Sequence, residues 1–279
     1  MRILVDVDRE RNYRSSLSLL SRLSFASPEL VLTHVEQRIL VPQEVPYLSA
    51  FATESIPTDI SHQGMGLLLE ASAEASLCGL SGETMLAEGH HRDQIESEIR
   101  KLDTDLFCTA WAGDSHGGSV REDECSMLAA VPRMGTGPVK CLFATDHSPY
   151  AAQAFERFLS WSPAGIDELI VFTALELSDR LESAINHRTG TPDDSHDARR
   201  AAHQGECLAN YIHELGIKAS SRIITGHIPH AIDRVVKEAG VELVILCAQG
   251  AHTQGNKGFG TVTTAVLEHA DYSVLVLQA

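Results

Sequence analysis

Residues 139–146 read Val-Lys-Cys-Leu-Phe-Ala-Thr-Asp, an apolar run that ends in an acid. Residues 2–7, followed by Asp8, have the same pattern near the start of the chain. Asp8 and Asp146 hold matching positions in the two runs, and apolar residues at helical spacing follow each of them. Similar segments at a fixed offset are the mark of an internal repeat. The stretch therefore predicts a chain made of two copies of one unit.

Further pairs of segments keep nearly the same offset along the chain as Asp8 and Asp146. They are residues 29–35 with 168–174, 88–90 with 225–227, and 105–113 with 242–250. One such match carries little weight, but a nearly constant offset over several elements indicates a duplication. The copies meet in the proline- and glycine-rich stretch 132–138, which predicts two domains at residues 1–136 and 137–279.

The apolar runs carry apolar residues on both faces, which is typical of parallel strands covered by helices. The predicted fold class is α/β: two tandem repeats of a five-stranded parallel sheet with helices on both faces, Rossmann-like. Ser273–Leu277 is a good fifth strand for the second copy. The first copy offers only Val-Pro-Arg-Met at 131–134, where proline removes a ladder donor. Its last strand is therefore expected to be degenerate.

Composition limits the classes of function. The 279 residues are 43% apolar, enough for ordinary globular domains, and their formal net charge is −16. This acidity disfavours binding to nucleic acid or to an anionic membrane surface. Acids at positions 6 and 8 interrupt the apolar stretch that a signal peptide would need. The six cysteines are scattered without a CxxC pair, and three of them lie inside apolar runs, which is typical of reduced core thiols. We expect a cytoplasmic protein with reduced thiols and no bound structural metal.

Three motifs of the second copy carry a family resemblance. They are Asp146-His147-Ser148 after the first strand, Gly226-His227-Ile228-Pro229 before the third helix, and Gly250 followed by Gly260-Thr261-Val262-Thr263 near the end. With them the chain resembles the universal stress protein family in its tandem two-domain form, over nearly its whole length. The resemblance implies a fold of the adenine nucleotide alpha hydrolase type in each half. It also implies a role in stress response or regulation.

The resemblance implies a nucleotide site for ATP or ADP, with Mg²⁺, at the carboxyl ends of the strands. Asp146 would accept a hydrogen bond from an adenine amino group; the alternative for this residue is a turn or helix-capping acid. Gly250 and Gly260 would let backbone N–H groups approach phosphates, and Thr261 and Thr263 would add hydroxyl donors; the alternative is a glycine-rich surface loop. The remaining predicted site residues are Ala174, Gly226, Gln249, Thr253 and Val262.

The chain departs from the pattern of the ATP-binding branch, Gly-x2-Gly-x9-Gly-Ser/Thr. Position 253 is threonine, and the interval from Thr253 to Gly260 is three residues short. In the first copy only four residues separate Gly113 from Gly118, which predicts a loop too short for a triphosphate. A nucleotide is therefore expected in the second copy alone.

Two other functions compete with nucleotide binding. The segment Gly-Asp-Ser-His-Gly at 113–117 matches the nucleophile elbow of hydrolases, with Ser115 as nucleophile and Asp146 and His269 as partners. The repeat, however, assigns the segment to the phosphate loop. The other alternative is a ligand-free scaffold for protein association. Neither copy places a nucleophile beside a base and an orienting group, so we expect binding without rapid catalysis, with slow ATP hydrolysis left open.

The closing strand of the second copy also predicts an assembly. The edge of Ser273–Leu277 has backbone groups that need a partner. The partner is expected to be the same edge of another molecule, which gives a homodimer, or the first copy, which gives an intramolecular pseudo-dimer.

Overall fold

The structure is a computed structural model that describes residues 1–36, 56–110, 125–132, 135–175, 196–250 and 258–279. Its contacts divide the chain into two compact units. The first unit comprises Met1–Ser21 and Ser27–Met134, and the second comprises Arg22–Ala26 and Gly135–Ala279. The division falls within the predicted joint at 132–138.

The first unit is a five-stranded sheet with helices. Its elements are β1 (Arg2–Asp6), α1 (Tyr13–Leu23), β2 (Glu29–Glu36), α2 (Ile56–Leu77), β3 (Gly82–Glu88), α3 (His91–Leu102), β4 (Leu106–Ala110) and β5 (Ser126–Ala130). The strand order is β3-β2-β1-β4-β5, and these strands pair in parallel. The first strand therefore lies at the centre of its sheet, as in other doubly wound folds.

The second unit repeats this arrangement. Its elements are β6 (Val139–Ala144), α4 (Pro149–Ser160), β7 (Ile166–Leu175), α5 (His196–Glu214), β8 (Ala219–Thr225), α6 (Ile228–Ala239), β9 (Leu243–Cys247), α7 (Thr261–His269) and β10 (Ser273–Leu277). The order β8-β7-β6-β9-β10 and the parallel pairing match those of the first unit. The predicted fold class is confirmed.

Helix α4 shows how the sequence builds the walls of the second unit. Ser148 begins the helix by accepting a hydrogen bond from the Ala151 N–H at 3.2 Å. Phe155 and Phe158 recur on one face and are buried, and Phe155 stacks on Phe143 of β6 with 4.2 Å between the ring centroids. Burial of each phenylalanine stabilises the fold by about 1.5–3 kcal/mol. This packing holds the start of α4 above the end of β6.

The expectation of a degenerate fifth strand in the first unit is wrong. Strand β5 has five residues, all buried, and pairs in register with β4 from Leu106↔Ser126 to Ala110↔Ala130. Its Ser-Met-Leu-Ala-Ala sequence has low intrinsic strand propensity, and burial beside β4 overrides that propensity. Pro132 lies beyond the end of the strand and does not interrupt it.

The corrected strand shows a difference in length between the halves. Positions 111–125 connect β4 to β5, whereas positions 248–272 connect β9 to β10, so the connection in the first unit is much shorter. Most of the shorter connection, at 111–124, lies outside the described residues. The first unit therefore has less chain at the place where the second unit forms α7.

Other expectations are modified at their borders. The polar stretch 186–200 predicts a surface loop before a long helix. Helix α5 already begins at His196, and residues 186–195 lie outside the described residues. Ser273–Leu277 is a strand as predicted, and all five of its residues are buried. None of the helices described for this chain has the length and apolar character needed to span a bilayer.

Candidate functional site

A cavity of about 480 Å³ opens at the carboxyl ends of β6, β7 and β9 in the second unit. Ligands of open parallel sheets bind at this end of the strands. The lining residues are Ala144, Thr145, Asp146, Ala151, Phe172, Ala174, Ile228, Leu246, Cys247, Gln249, Gly250, Gly260, Thr261, Val262 and Thr263. The volume lies in the range of small-molecule sites, about 300–1,000 Å³.

The structure brings eight of the ten predicted site residues to this cavity. They are Asp146, Ala174, Gln249, Gly250, Gly260, Thr261, Val262 and Thr263. Gly226 is not among the lining residues and forms the turn between β8 and α6, where its φ of +140° is a conformation that glycine adopts readily. Thr253 lies outside the described residues. The binding roles of these residues stay predictions.

Asp146 begins the rim of the cavity directly after β6. Its Oδ1 accepts a hydrogen bond from the Ser148 N–H at 2.9 Å, so the carboxylate stabilises the turn that leads into α4. Its Oδ2 lies 3.1 Å from the position that a Cβ on Gly250 would occupy. One oxygen of Asp146 therefore stabilises the turn, and its second oxygen faces the loop after β9.

Helix α7 presents its first turn to the cavity. Gly260 precedes the helix with extended backbone, and its own N–H donates to the Ala248 carbonyl at 2.8 Å. The first bond of the helix joins the Thr264 N–H to the Gly260 carbonyl, so the N–H groups of residues 261–263 have no acceptor within the helix. These groups and the positive end of the helix dipole favour a negatively charged ligand.

One predicted hydroxyl has another use. The Thr263 hydroxyl donates to the Cys247 carbonyl at 2.9 Å, and Thr263 is only 4% exposed. This hydrogen bond anchors the start of α7 to the end of β9, and the predicted donation from this hydroxyl to a phosphate stays a prediction. Thr261 is exposed, so its hydroxyl is open to solvent and to a ligand.

Sequence reasoning missed the apolar walls of the cavity. Phe172, Ile228 and Leu246 line it, and Ala144 leaves room at the end of β6. Alternation along β7 could have found part of this set, because Ala174 was predicted and Phe172 lies two residues earlier on the same face. The pKa of the Cys247 thiol is raised to about 12 by burial and further by the nearby Asp146 carboxylate. Cys247 is therefore a neutral wall residue at physiological pH.

His147 takes a strained place beside the site. Its φ is +56°, unusual for a residue with a side chain, and its N–H donates to the Thr145 hydroxyl oxygen at 3.0 Å. Its Nε2 lies 2.9 Å from the Thr173 hydroxyl oxygen, on the other face of β7 from Phe172. Burial lowers the pKa of His147. The His147 side chain therefore contacts β7 on the face of the sheet opposite the cavity.

Other predicted groups lie outside the part of the chain that the structure describes. Ser115, the candidate nucleophile, and the glycines at 113 and 118 lie outside the described residues. Of the cavity-lining residues in the described part of the chain, only Asp146 is charged. Across the described ranges, His, Cys, Asp and Glu form no cluster of three or more that could hold a metal ion.

Comparisons with known proteins agree with this architecture. The model of the universal stress protein family matches residues 139–278. A universal stress protein from Archaeoglobus fulgidus superposes with a TM-score of 0.68 at 15% identity, covering 99% of this chain and 98% of its own. A putative universal stress protein from Pseudomonas aeruginosa gives 0.57 at 17% identity, covering 99% and 92%. At these identities the likeness concerns the fold. No curated protein matches the chain.

Proposed function

Because the chain belongs to the universal stress protein family, we propose that its second unit binds an adenine nucleotide, ATP or ADP, in the cavity at the carboxyl ends of β6, β7 and β9. The observation that carries the proposal is the combination of apolar walls with the open first turn of α7 in one cavity. One end of the cavity suits a flat, apolar base, and the other suits phosphates.

The base and the phosphates use different parts of the cavity. The side chains of Phe172, Ala174 and Ile228 offer apolar contact for a purine, and Asp146 offers an acceptor for the adenine amino group. The N–H groups of Thr261 and Val262 would donate to phosphate oxygens at the start of α7. Mg²⁺ would enter with the phosphates and keep several of its waters, since Asp146 is the one carboxylate among the described lining residues.

The site is suited to binding more than to turnover. The neutral Cys247 thiol is a poor nucleophile, because the thiolate is the reactive form. The Thr263 hydroxyl is engaged with a backbone carbonyl and is almost fully buried. We infer a regulatory role in stress response, in which the nucleotide changes the population of one state of the protein. The six free cysteines are consistent with a reducing, cytoplasmic setting.

The assembly inferred from the sequence is a separate part of the proposal. The closing strand β10 is expected to pair with another molecule or within the chain. Light scattering at micromolar concentrations distinguishes the two, because a homodimer has twice the 30.3 kDa mass of the chain.

The experiment for the nucleotide site is calorimetry with ATP on the unmodified protein and on Thr261→Pro. Proline fits the first helical position and the extended conformation of Gly260 before it, so this change deletes one N–H and keeps the helix. We expect the affinity for ATP to fall roughly tenfold, about one charge-assisted hydrogen bond. Thr261→Ser, which keeps the N–H and the hydroxyl, is the matched control and should bind normally.

The base is tested with inosine triphosphate, which has a carbonyl where ATP has the amino group. Asp146→Asn retains an oxygen for the Ser148 N–H but places an amide donor toward the base. We expect this change to reduce the preference for ATP over inosine triphosphate. A folded protein that binds no nucleotide at millimolar concentration would support the ligand-free scaffold.

A further inference from the structure

Helix α7 begins without a side-chain cap, although it carries the N–H groups proposed for the phosphates. Its N-cap residue is Gly260, which has no side chain and makes no capping hydrogen bond. The N-cap of α4 in the same unit is Ser148, whose hydroxyl accepts a hydrogen bond from the Ala151 N–H at 3.2 Å. A capping side chain takes up an N–H that an anion could otherwise use. The start of α7 therefore keeps its donors open, and other contacts have to hold it in place.

Two hydrogen bonds to the end of β9 hold the start of α7. The Gly260 N–H donates to the Ala248 carbonyl at 2.8 Å, and the Thr263 hydroxyl donates to the Cys247 carbonyl at 2.9 Å. One bond is made by the N-cap residue and the other by the third residue of the helix, so together they span its first turn. Of the two, the bond of Thr263 depends on a side chain. A substitution at Thr263 therefore tests what this attachment does.

The hydrogen bond of Thr263 lies inside the protein. Thr263 is 4% exposed, whereas Thr261 and Thr264 in the same turn are exposed. A hydroxyl has one proton to donate, and in this structure Thr263 gives it to the carbonyl of β9. Hydrogen bonds that are shielded from water in this way resist opening. The bond therefore fixes α7 relative to β9, and with it the direction of the N–H groups at the open end of the helix.

We propose that Thr263 is a positioning residue for the phosphate end of the nucleotide cavity. It acts through the helix: its bond to β9 takes the place of a cap and leaves the N–H groups of residues 261–263 to the phosphates. Donors that are already ordered bind an anion more tightly than mobile ones, because less entropy is lost on binding. The inference rests on the proposed function. It adds that the affinity for phosphates depends on a side chain whose hydroxyl is directed at the protein and not at the ligand.

The test compares ATP with adenosine, which has the same base and ribose but no phosphate, by calorimetry on the full chain. Thr263→Val removes the hydroxyl and keeps a branched side chain. We expect it to weaken ATP binding roughly tenfold and adenosine binding by less than about twofold. Thr263→Ser keeps the hydroxyl and should restore most of the affinity for ATP. Thr264→Val makes the same exchange at an exposed position of the same turn and is the matched control.

Amide hydrogen exchange of the protein without ligand separates positioning from direct contact with a phosphate. The Gly260 N–H donates to the Ala248 carbonyl, and the Thr264 N–H donates to the Gly260 carbonyl. If Thr263 holds the helix, Thr263→Val should speed the exchange of both amides roughly tenfold. If its hydroxyl served only to contact a phosphate, the exchange without ligand would be the same as in the unmodified protein.

Several outcomes overturn the proposal. An equal loss for ATP and adenosine in Thr263→Val would show a general effect on the cavity, and an equal loss in Thr264→Val would show a general effect on the helix. Unchanged amide exchange without ligand would leave direct contact as the role of the hydroxyl. If the unmodified protein binds ATP and Thr263→Val binds it equally well, this inference alone fails. If the unmodified protein binds no ATP, the proposed function fails and this inference fails with it.

Discussion

The two units share a strand order but differ at the carboxyl ends of their central strands. In the second unit, Ala144 pairs with Phe172 across β6 and β7, and Ile228 begins the helix after β8; all three line the nucleotide cavity. In the first unit, Asp6 occupies the register position of Ala144, opposite Thr33 in β2, and His91 begins the helix after β3. Two apolar wall positions of one unit are therefore an acid and a histidine in the other.

These two residues of the first unit form an ion pair. Nε2 of His91 lies 2.9 Å from Oδ2 of Asp6, which is 8% exposed. The pair occupies the positions that correspond to two wall residues of the cavity in the second unit. The connection after β4 is also much shorter than its counterpart after β9. The comparison teaches that one fold can keep or fill a site by two side-chain exchanges, without changing the sheet. It also supports the expectation that nucleotide binds only to the second unit.

The largest expected effect concerns the fifth strands of the two units, which the sequence pattern predicts to be unequal. Leu128 of β5 and Leu275 of β10 occupy the same position in their strands and are 0% and 1% exposed. Leu128→Ala and Leu275→Ala should each lower the free energy of unfolding by about 2–5 kcal/mol. Chemical denaturation measures both. Leu77→Ala, at a residue that is 84% exposed, is the control and should change stability by less than about 0.5 kcal/mol. If Leu128→Ala alone left the free energy of unfolding almost unchanged, the expectation of a degenerate fifth strand in the first unit would hold after all.

The next prediction transfers the ion pair between units. The double variant Ala144→Asp, Ile228→His should fill the second unit's cavity and weaken ATP binding by about 100-fold, which corresponds to about 2.7 kcal/mol. The reciprocal variant Asp6→Ala, His91→Ile should leave ATP binding at one site per chain, since the connection after β4 stays short. Calorimetry gives affinity and stoichiometry together. Two sites in the reciprocal variant would show that the ion pair alone closes the first unit.

The smallest effect is the pH dependence of stability, which should have opposite signs in the two units. Asp6 raises the pKa of His91 above 6.5, so the stability from this pair is complete below pH 6.5 and is lost as the pH rises through the raised pKa. Burial lowers the pKa of His147 from 6.5, so protonation on going below pH 6.5 destabilises the fold. Asp6→Asn should remove the loss of stability as the pH rises, and His147→Gln should remove the loss of stability as the pH falls below 6.5.

Unfolding followed by denaturant at several pH values separates the two histidines. Equal profiles for Asp6→Asn and the unmodified protein as the pH rises through the pKa of His91 would mean that the ion pair does not form in solution.

Much of the site was predictable because it depends on local pattern. Apolar runs followed by Asp146 and Gly250 end parallel strands, and such ends meet at one edge of a sheet. The constant offset then fixed the order of the elements in both halves, and the structure confirms the α/β architecture. These features follow from periodicity and chain order, which can be recognised from residues that are close together in the sequence.

Other features were decided only by tertiary structure. Asp6 and His91 lie far apart in the sequence, and neither sits in a motif, so their contact depends on how β1 and α3 are placed. The strand Ser126–Ala130 exists because burial beside β4 outweighs its weak propensity. The Thr263 hydroxyl is engaged by the Cys247 carbonyl because α7 starts directly above β9. In each case the deciding interaction joins residues distant in sequence, and its strength comes from burial that only the assembled sheet provides.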